Sequence, residues 1–406
     1  MEKFNQARLS EKLINLNNAA FKEKERLAAL GFNHFFKIGP KSIIQLLNYF
    51  GSLSQAYCGD FENLKYAGIK EDVIYAFLKF RQEFSLKETL ARLEKNKINF
   101  VYLEEDSYPK ILKEIYDPPF LLYYRGNINF NNKRGLAIIG SRKHSAYGEK
   151  LINFLLNSIS QANLVIISGL AYGIDALAHQ EALKNNLKTI AVLGTGLEDD
   201  DFYPLENLKL SQAIVASDGA LISEFPPGTK ALKQNFPLRN RIISGLSRAV
   251  LVIEAKERSG SSITVDQALD QGREVMAIPG NIFSEFSSGT NKLISEGAHL
   301  IKDGADILEF FINQNLIDES SEKFLNKEFL NKEGLNKCKN KKIRFENEEE
   351  ELIYYLIKKA NEKIENIKLE EISEITKLDT ATINSTLSIL EIKSLIKKGY
   401  NGYNLS

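Results

Sequence analysis

Asn235-Phe-Pro-Leu-Arg-Asn-Arg-Ile-Ile-Ser-Gly-Leu-Ser247 runs almost directly into the apolar stretch Ala249-Val-Leu-Val-Ile253. Pro237 is expected to set a turn after Phe236, and the Ile-Ile-x-Gly-Leu pattern reads as a short helix feeding a buried strand. Arg239 and Arg241 bracket Asn240, which places two guanidiniums and an amide near a helix start, where backbone N–H groups point outward. Such a place suits an anion, most plausibly a phosphate. The alternative is that both arginines are surface cations or partners of carboxylates elsewhere.

On either side of this stretch, residues 135–312 alternate apolar runs with helical patterns. The runs are Leu136–Ile139, Leu164–Ile167, Thr189–Leu193, Ala220–Ile222, Ala249–Ile253 and Val275–Ile278. Short buried strands separated by helices predict a parallel α/β sheet. The loops that follow them are rich in small residues: Gly140-Ser-Arg142, Ser168-Gly-Leu-Ala-Tyr-Gly-Ile-Asp175, Gly194-Thr-Gly196, Ser223-Glu-Phe-Pro-Pro-Gly-Thr229, Ser259-Gly-Ser-Ser262 and Pro279-Gly-Asn281. In open α/β sheets the ligand crevice lies outside the C-terminal strand ends, and small residues there let backbone amides approach a ligand. Turn and cap formation explains any one of these loops, and the whole set less well.

Arg142, Lys230, Lys233, Arg239, Arg241, Arg248 and Arg273 are the cations expected near this edge, and Phe236 lies between Lys233 and Arg239. Phosphates tracked by Lys and Arg beside an aromatic that stacks on a base is the arrangement of a single-strand binder. Core packing of Phe236 ahead of the turn is the competing reading.

Several enzyme classes lose support. The first strand is followed by Gly-Ser-Arg-Lys-His-Ser-Ala-Tyr-Gly, without the G-x-G-x-x-G spacing of a dinucleotide site, and no G-x-x-x-x-G-K-[ST] occurs. Asp175 and His179 stand four apart on one helical face and could act as a base with its orienting carboxylate. A structural hydrogen bond pinning helix to sheet accounts for them better. His34, His144 and His299 are isolated, so neither a metal nor a cofactor is expected.

The 406 residues suggest two or three domains, and 43% hydrophobic with 26% charged content is ordinary for a soluble globular chain. Fifty-three basic residues balance fifty-three acidic ones, so affinity for a polyanion has to come from a local patch. Cys58 and Cys338 are too few and too far apart for a disulfide framework, which fits a reducing cytoplasm. No signal-peptide core and no apolar run of about 18 residues occurs, so export and membrane spanning are not expected.

Residues 1–85 read as helices. Ile38-Gly39-Pro40 and Gly68-Ile69 introduce helical stretches in the manner of paired helix-hairpin-helix (SAM-like) units, or of a small packing module without DNA contact. Residues 86–134 read as a segment packed on the core. Phe324-Leu-Asn-Lys-Glu-Phe-Leu-Asn-Lys-Glu-Gly-Leu-Asn-Lys337 marks a flexible linker over 313–343. In residues 344–406, helices are expected from Glu346, Leu369 and Thr380, with a terminal hairpin over Ile396–Tyr403, giving a winged-helix outline. Thr380–Ile389 carries no Lys or Arg, so protein contact is at least as reasonable as duplex reading.

Taken together, the motifs resemble the bacterial DprA/Smf family of DNA-processing proteins. The resemblance runs through Ile139-Gly-Ser-Arg142 with Tyr147-Gly148, Ser168-Gly-x-Ala-x-Gly-Ile-Asp175 with Ala178-His179, Ala191-Val-Leu-Gly-Thr-Gly-Leu197 with Tyr203-Pro204, and Ser223-Glu-Phe-Pro-Pro-Gly228. It continues through Phe236-Pro-x-Arg-Asn-Arg-Ile-Ile243, Glu254-Ala255 with Arg258-Ser-Gly-Ser261, and Gly272-Arg-Glu-Val275 to Pro279-Gly280. Ser262 and Val265-Asp266 depart from the family pattern, and Glu198-Asp-Asp-Asp201 lengthens one loop and makes it acidic.

The resemblance implies an extended Rossmann-like core and a dimeric binding protein without catalysis of its own. Such a protein protects incoming single-stranded DNA and loads the RecA recombinase onto it during natural transformation in competent cells, displacing single-strand-binding protein. On the matching positions, Arg142, Lys233 and Arg239 would hold phosphates and Phe236 would stack on a base, with Gly140, Ser141 and Asn240 completing the pocket. The expected site also takes in Ser168, Gly169, Arg241, Ser259, Gly260 and Ser261. The rival is a nucleotide phosphoribohydrolase-like enzyme on a related sheet, although its P-G-G-x-G-T-x-x-E loop has no counterpart here.

Overall fold

The buried runs Leu136–Ile139 and Ala249–Val252 lie side by side at the middle of a nine-stranded sheet and are apolar throughout because both of its faces are covered. The computed structural model describes residues 20–127, 134–257, 259–317, 347–361, 367–393, 396–399 and 402–405. Two compact units divide the chain at Lys327 and Glu328.

The first unit opens with a helix over 20–33 (α1), then α2 (Pro40–Phe50), α3 (Leu53–Cys58), α4 (Phe61–Tyr66), α5 (Glu71–Glu83) and α6 (Leu86–Lys95). Gly39-Pro40 starts α2, and Gly68 precedes α5 at a φ of 90°. The chain continues through β1 (Asn99–Tyr102), α7 (Lys110–Lys113), β2 (Leu121–Gly126), β3 (Gly135–Ile139), α8 (Ala146–Ser158), β4 (Val165–Ser168), α9 (Ile174–Lys184) and β5 (Lys188–Leu193). It ends with α10 (Leu208–Ala216), β6 (Ala220–Ser223), α11 (Asn235–Gly245), β7 (Ala249–Val252), α12 (Gly260–Asp270), β8 (Glu274–Ala277), α13 (Glu285–Ser295), β9 (His299–Leu300) and α14 (Gly304–Asn313).

The strand order is β1-β2-β6-β5-β4-β3-β7-β8-β9. From β6 to β9 every pairing is parallel, whereas β1–β2 and β2–β6 are antiparallel. The parallel sheet expected over residues 135–312 is present from β3 to β9, and the antiparallel edge is an addition to it. Phe100-Val-Tyr-Leu103 and Leu121-Leu-Tyr-Tyr124, read as parts of a connecting segment, supply two added strands. Their side chains also close the helical core: Phe100, Tyr102, Leu121 and Tyr123 share one cluster with Phe32, Leu46, Leu53 and Phe77.

Alternation sorts the central strands between the faces. Leu136 and Ile138 pack with α8, α9 and α14 through Ile152, Ala178 and Ile307. Ala137 and Ile139 pack on the other face with Leu112, Ile242 and Val265 of α7, α11 and α12. The chain winds outward from β3 to β6 and then returns to lay β7 against β3. That reversal opens a crevice between their C-terminal ends.

In the second unit, helices over Glu348–Asn361, Leu369–Thr376 and Thr380–Ile392 precede an antiparallel pair, β10 (Ile396–Gly399) and β11 (Gly402–Leu405). Ile353, Ile357, Ile372, Ile383, Leu387 and Ile396 form their shared core. The linker expected over 313–343 lies outside the described residues beyond position 317.

Candidate nucleic-acid interface

The loops after β3 and β7 and the start of α11 enclose a cleft of about 740 Å³ at the β3–β7 crossover. Of the thirteen expected site residues, ten line it: Gly140, Ser141, Arg142, Lys233, Phe236, Arg239, Asn240, Ser259, Gly260 and Ser261. Arg142 and Lys233 are exposed, and Phe236 is half-buried. The Phe236 ring lies 5.8 Å from the Arg142 guanidinium carbon and 5.9 Å from that of Arg239.

Local chemistry fixes these positions. Ser141 donates its backbone N–H to the Glu254 carbonyl at 2.8 Å, tying the turn after β3 to the end of β7. The Glu254 carboxylate accepts from the Ser145 N–H at 2.9 Å and from its hydroxyl, while Ser145 caps α8. Gly173 has a φ of 77°, and a Cβ there would meet the Ser141 carbonyl at 2.3 Å, so glycine lets the two loops touch. Pro237 does not turn the chain after Phe236, as the sequence suggested. It occupies the first turn of α11, where its missing N–H has no partner to lose.

Arg239 is 3% exposed. Its Nη1 donates to the carbonyls of Gly169, at 2.6 Å, and Val192, bridging the ends of β4 and β5. A Cβ at Gly169 would stand 2.6 Å from Arg239 Nη2, so the guanidinium fills space that only glycine leaves open. Burial lowers the Arg239 pKa to about 10 against the pull of Asp175, so the group stays cationic at neutral pH. Burial likewise raises the Asp175 carboxyl, opposed first by Arg239.

The remaining three expected residues lie off the cleft. Ser168 bonds the Ile138 carbonyl at 2.6 Å beneath the surface, and Gly169 serves Arg239 and Asp175. Arg241 turns to the opposite side of α11, donating to Glu224 at 2.7 Å and to Asp117 at 3.0 Å. It takes the carboxylate-partner alternative. Arg248 and Arg273 precede β7 and β8, at the opposite strand ends, and are thus removed from the cationic edge. Lys230 is drawn to Asp201 at 3.3 Å, and Arg258 lies outside the described residues.

Ten further residues line the cleft without having been expected in the site, among them Asp175, Tyr203, Lys256, Ile263 and Thr264. Lys256 sits three residues past Ile253, so its place after β7 was a usable signal. Tyr203 comes from the loop between β5 and α10, and only the packing brings it beside Phe236. Three of the four carboxylates of the acidic insert there have partners: Glu198 holds Arg92 at 2.6 Å, Asp199 holds Arg125 at 2.7 Å, and Asp201 accepts from the Gly228 N–H at 2.7 Å.

Asp175 and His179 each bond elsewhere, which favours their structural reading. His179 is fully buried, and its Nδ1 lies 2.7 Å from Thr189 Oγ1, whose proton goes to the Ile166 carbonyl. The imidazole is therefore the donor, as neutral Nδ1–H. Burial, with Arg239 nearby, lowers its pKa to about 3. The unfolded side chain takes up a proton near pH 6.5 and the folded one does not. The stability that neutral His179 lends is therefore complete above pH 6.5 and falls as pH drops towards 3, by about 1.4 kcal/mol per unit. Urea titrations at pH 7.5, 6 and 5 are expected to show this slope in the wild type and a flatter one in His179→Asn, and equal slopes would refute the assignment.

The fold and the cleft together define a doubly wound α/β protein with a cationic crevice at its crossover. The profile of the DNA recombination-mediator protein A family matches residues 99–312. DNA processing protein DprA of Streptococcus pneumoniae is 41% identical over 272 residues, which cover 67% of this chain and 93% of that protein. DNA processing protein DprA of Bacillus subtilis is 41% identical over 256 residues, 63% of this chain and 83% of the relative. The X-ray structure of the Streptococcus pneumoniae protein superposes with a TM-score of 0.57 at 40% identity, covering 66% of this chain and 92% of that one. The chain belongs to the DNA recombination-mediator protein A family, the DprA/Smf proteins, and its role is that of a DNA-processing recombination mediator.

Proposed function

We propose that the crossover cleft binds single-stranded DNA, with Arg142 and Lys233 on phosphates, Phe236 under a base, and Gly140, Ser141, Asn240 and Ser259–Ser261 presenting backbone and small polar groups. One observation carries this reading: two exposed cations and a half-buried aromatic ring meet in a crevice walled by small residues. Arg239 contributes its charge from beneath the cleft. A mediator built in this way holds incoming single strands as a homodimer during natural transformation, loads RecA and displaces single-strand-binding protein, without catalysis of its own. The terminal unit, with its three helices and hairpin, is read as a winged-helix-like module for partner contact.

Arg142→Ala and Lys233→Ala are each expected to reduce the slope of log affinity against log salt by about 0.7, as one lost phosphate contact on a single strand does. Phe236→Ala is expected to keep the slope and lose about 1–3 kcal/mol of binding. Fluorescence titration of labelled oligonucleotides at several salt concentrations measures both. Unchanged slopes would place the DNA elsewhere, and release of a free base from nucleoside monophosphates would favour the phosphoribohydrolase-like reading.

A further inference from the structure

Three aromatic rings follow one another by contact, Phe236 and Tyr203 in the cleft and Tyr172 next to it. The centroids of Phe236 and Tyr203 are 5.8 Å apart at 61°, and those of Tyr203 and Tyr172 are 6.3 Å apart at 83°. Tyr203 is 47% and Tyr172 38% exposed, far more than a packing cluster requires. Tyr172 donates its hydroxyl to Glu206 at 2.7 Å, which holds the outer ring in place. The row is also electrically graded. Arg142 and Arg239 flank the Phe236 end, whereas the Tyr172 end carries Glu206, whose carboxyl that hydrogen bond keeps below its usual range and so charged at neutral pH.

We propose that Phe236, Tyr203 and Tyr172 form a track seating three successive bases of one strand, with Glu206 marking its outer end. This deepens the single-strand reading of the cleft and rests on it. The ring spacings of 5.8 and 6.3 Å well exceed the duplex step of about 3.4 Å per nucleotide. Bases on successive rings are therefore unstacked from one another, with the backbone extended between them. Neighbouring rings meet edge to face, so each base must also turn relative to the last. A free strand rotates in this way and a duplex does not. Beyond the third base, the Glu206 carboxylate repels the next phosphate, and the strand leaves the surface.

The test uses the full chain and short oligothymidylates in which one abasic residue is moved along the strand. In the wild type, three consecutive abasic positions are expected to weaken binding by about 5- to 150-fold each, the range of one base–aromatic stack. Tyr203→Ala should erase the sensitivity of the middle position and Tyr172→Ala that of the outermost, while Tyr203→Phe keeps the wild-type profile. Glu206→Gln should raise affinity about threefold at low salt for strands that extend past the third base. Tyr172 is exposed, so Tyr172→Ala decides the matter even if Tyr203→Ala does not fold. If both tyrosine variants keep the wild-type profile while Phe236→Ala weakens binding, the track is wrong and the cleft reading stands. If the wild type does not bind single strands, both fall.

Discussion

Arg239→Met lowers the unfolding free energy by about 3–5 kcal/mol, the usual cost of removing one partner from a buried ionic network. The methionine keeps the aliphatic stem, so the loss reports the guanidinium itself. Without it, the Gly169 and Val192 carbonyls lose a donor, and buried Asp175 loses its nearest positive charge. Asp175 then takes up a proton more readily. A carboxyl whose folded pKa is raised lends stability below its unfolded value and loses it as pH climbs through the folded one, so the deficit widens from pH 5 to pH 8. Urea unfolding at those two pH values measures it. Because Arg239 is only 3% exposed, the change in salt slope for DNA should be smaller than that of Arg142→Ala. A variant as stable as the wild type, with about 0.7 of slope lost as for Arg142→Ala, would make Arg239 a direct phosphate ligand instead of the bridge under the cleft.

Arg241→Ala produces a second loss of about 3–5 kcal/mol, for the same kind of reason and without any effect on the DNA salt slope. Its guanidinium holds Glu224 at 2.7 Å and Asp117 at 3.0 Å, away from the cleft. Burial already pushes the Glu224 carboxyl up, and Arg241 is the chief opposing influence. With Arg241 gone, Glu224 favours the neutral acid, so the variant is least impaired at low pH and most impaired as pH rises. Denaturant midpoints from pH 5 to pH 8, set beside binding titrations of the same preparations, separate the two arginines of one short helix by function.

That separation shows where the sequence was readable and where it was not. Continuous apolar runs announced the central strands, because a sheet covered on both faces leaves no polar alternation to confuse the pattern. Small residues after β3 and β7 announced the loops that line the crossover cleft. What one-dimensional spacing could not carry was direction around a helix. Arg239 and Arg241 are two residues apart, about 200° around α11, so a motif that brackets Asn240 between two cations sends them to opposite sides. The antiparallel edge escaped for a different reason: β1 and β2 are four and six residues long, and Phe100 and Tyr123 read equally well as packing on a neighbour. Tyr203 was quoted as part of a family motif, yet its place beside Phe236 depends on how the β5–α10 loop folds back. The acidic insert could not be matched to its partners by spacing, because Arg92 lies 106 residues from Glu198 and Arg125 lies 74 residues from Asp199 along the chain.

The cleft is expected to select a single strand over a duplex. The most direct measurement is a titration of one labelled oligonucleotide, alone and annealed to its complement, against the wild-type chain at fixed low salt and again at higher salt. Tighter binding of the single strand is expected at both, with a salt slope of about 0.7 for each engaged phosphate. Equal affinity for strand and duplex would contradict it, since a crevice that seats an unstacked base on Phe236 has no means of accepting a paired one.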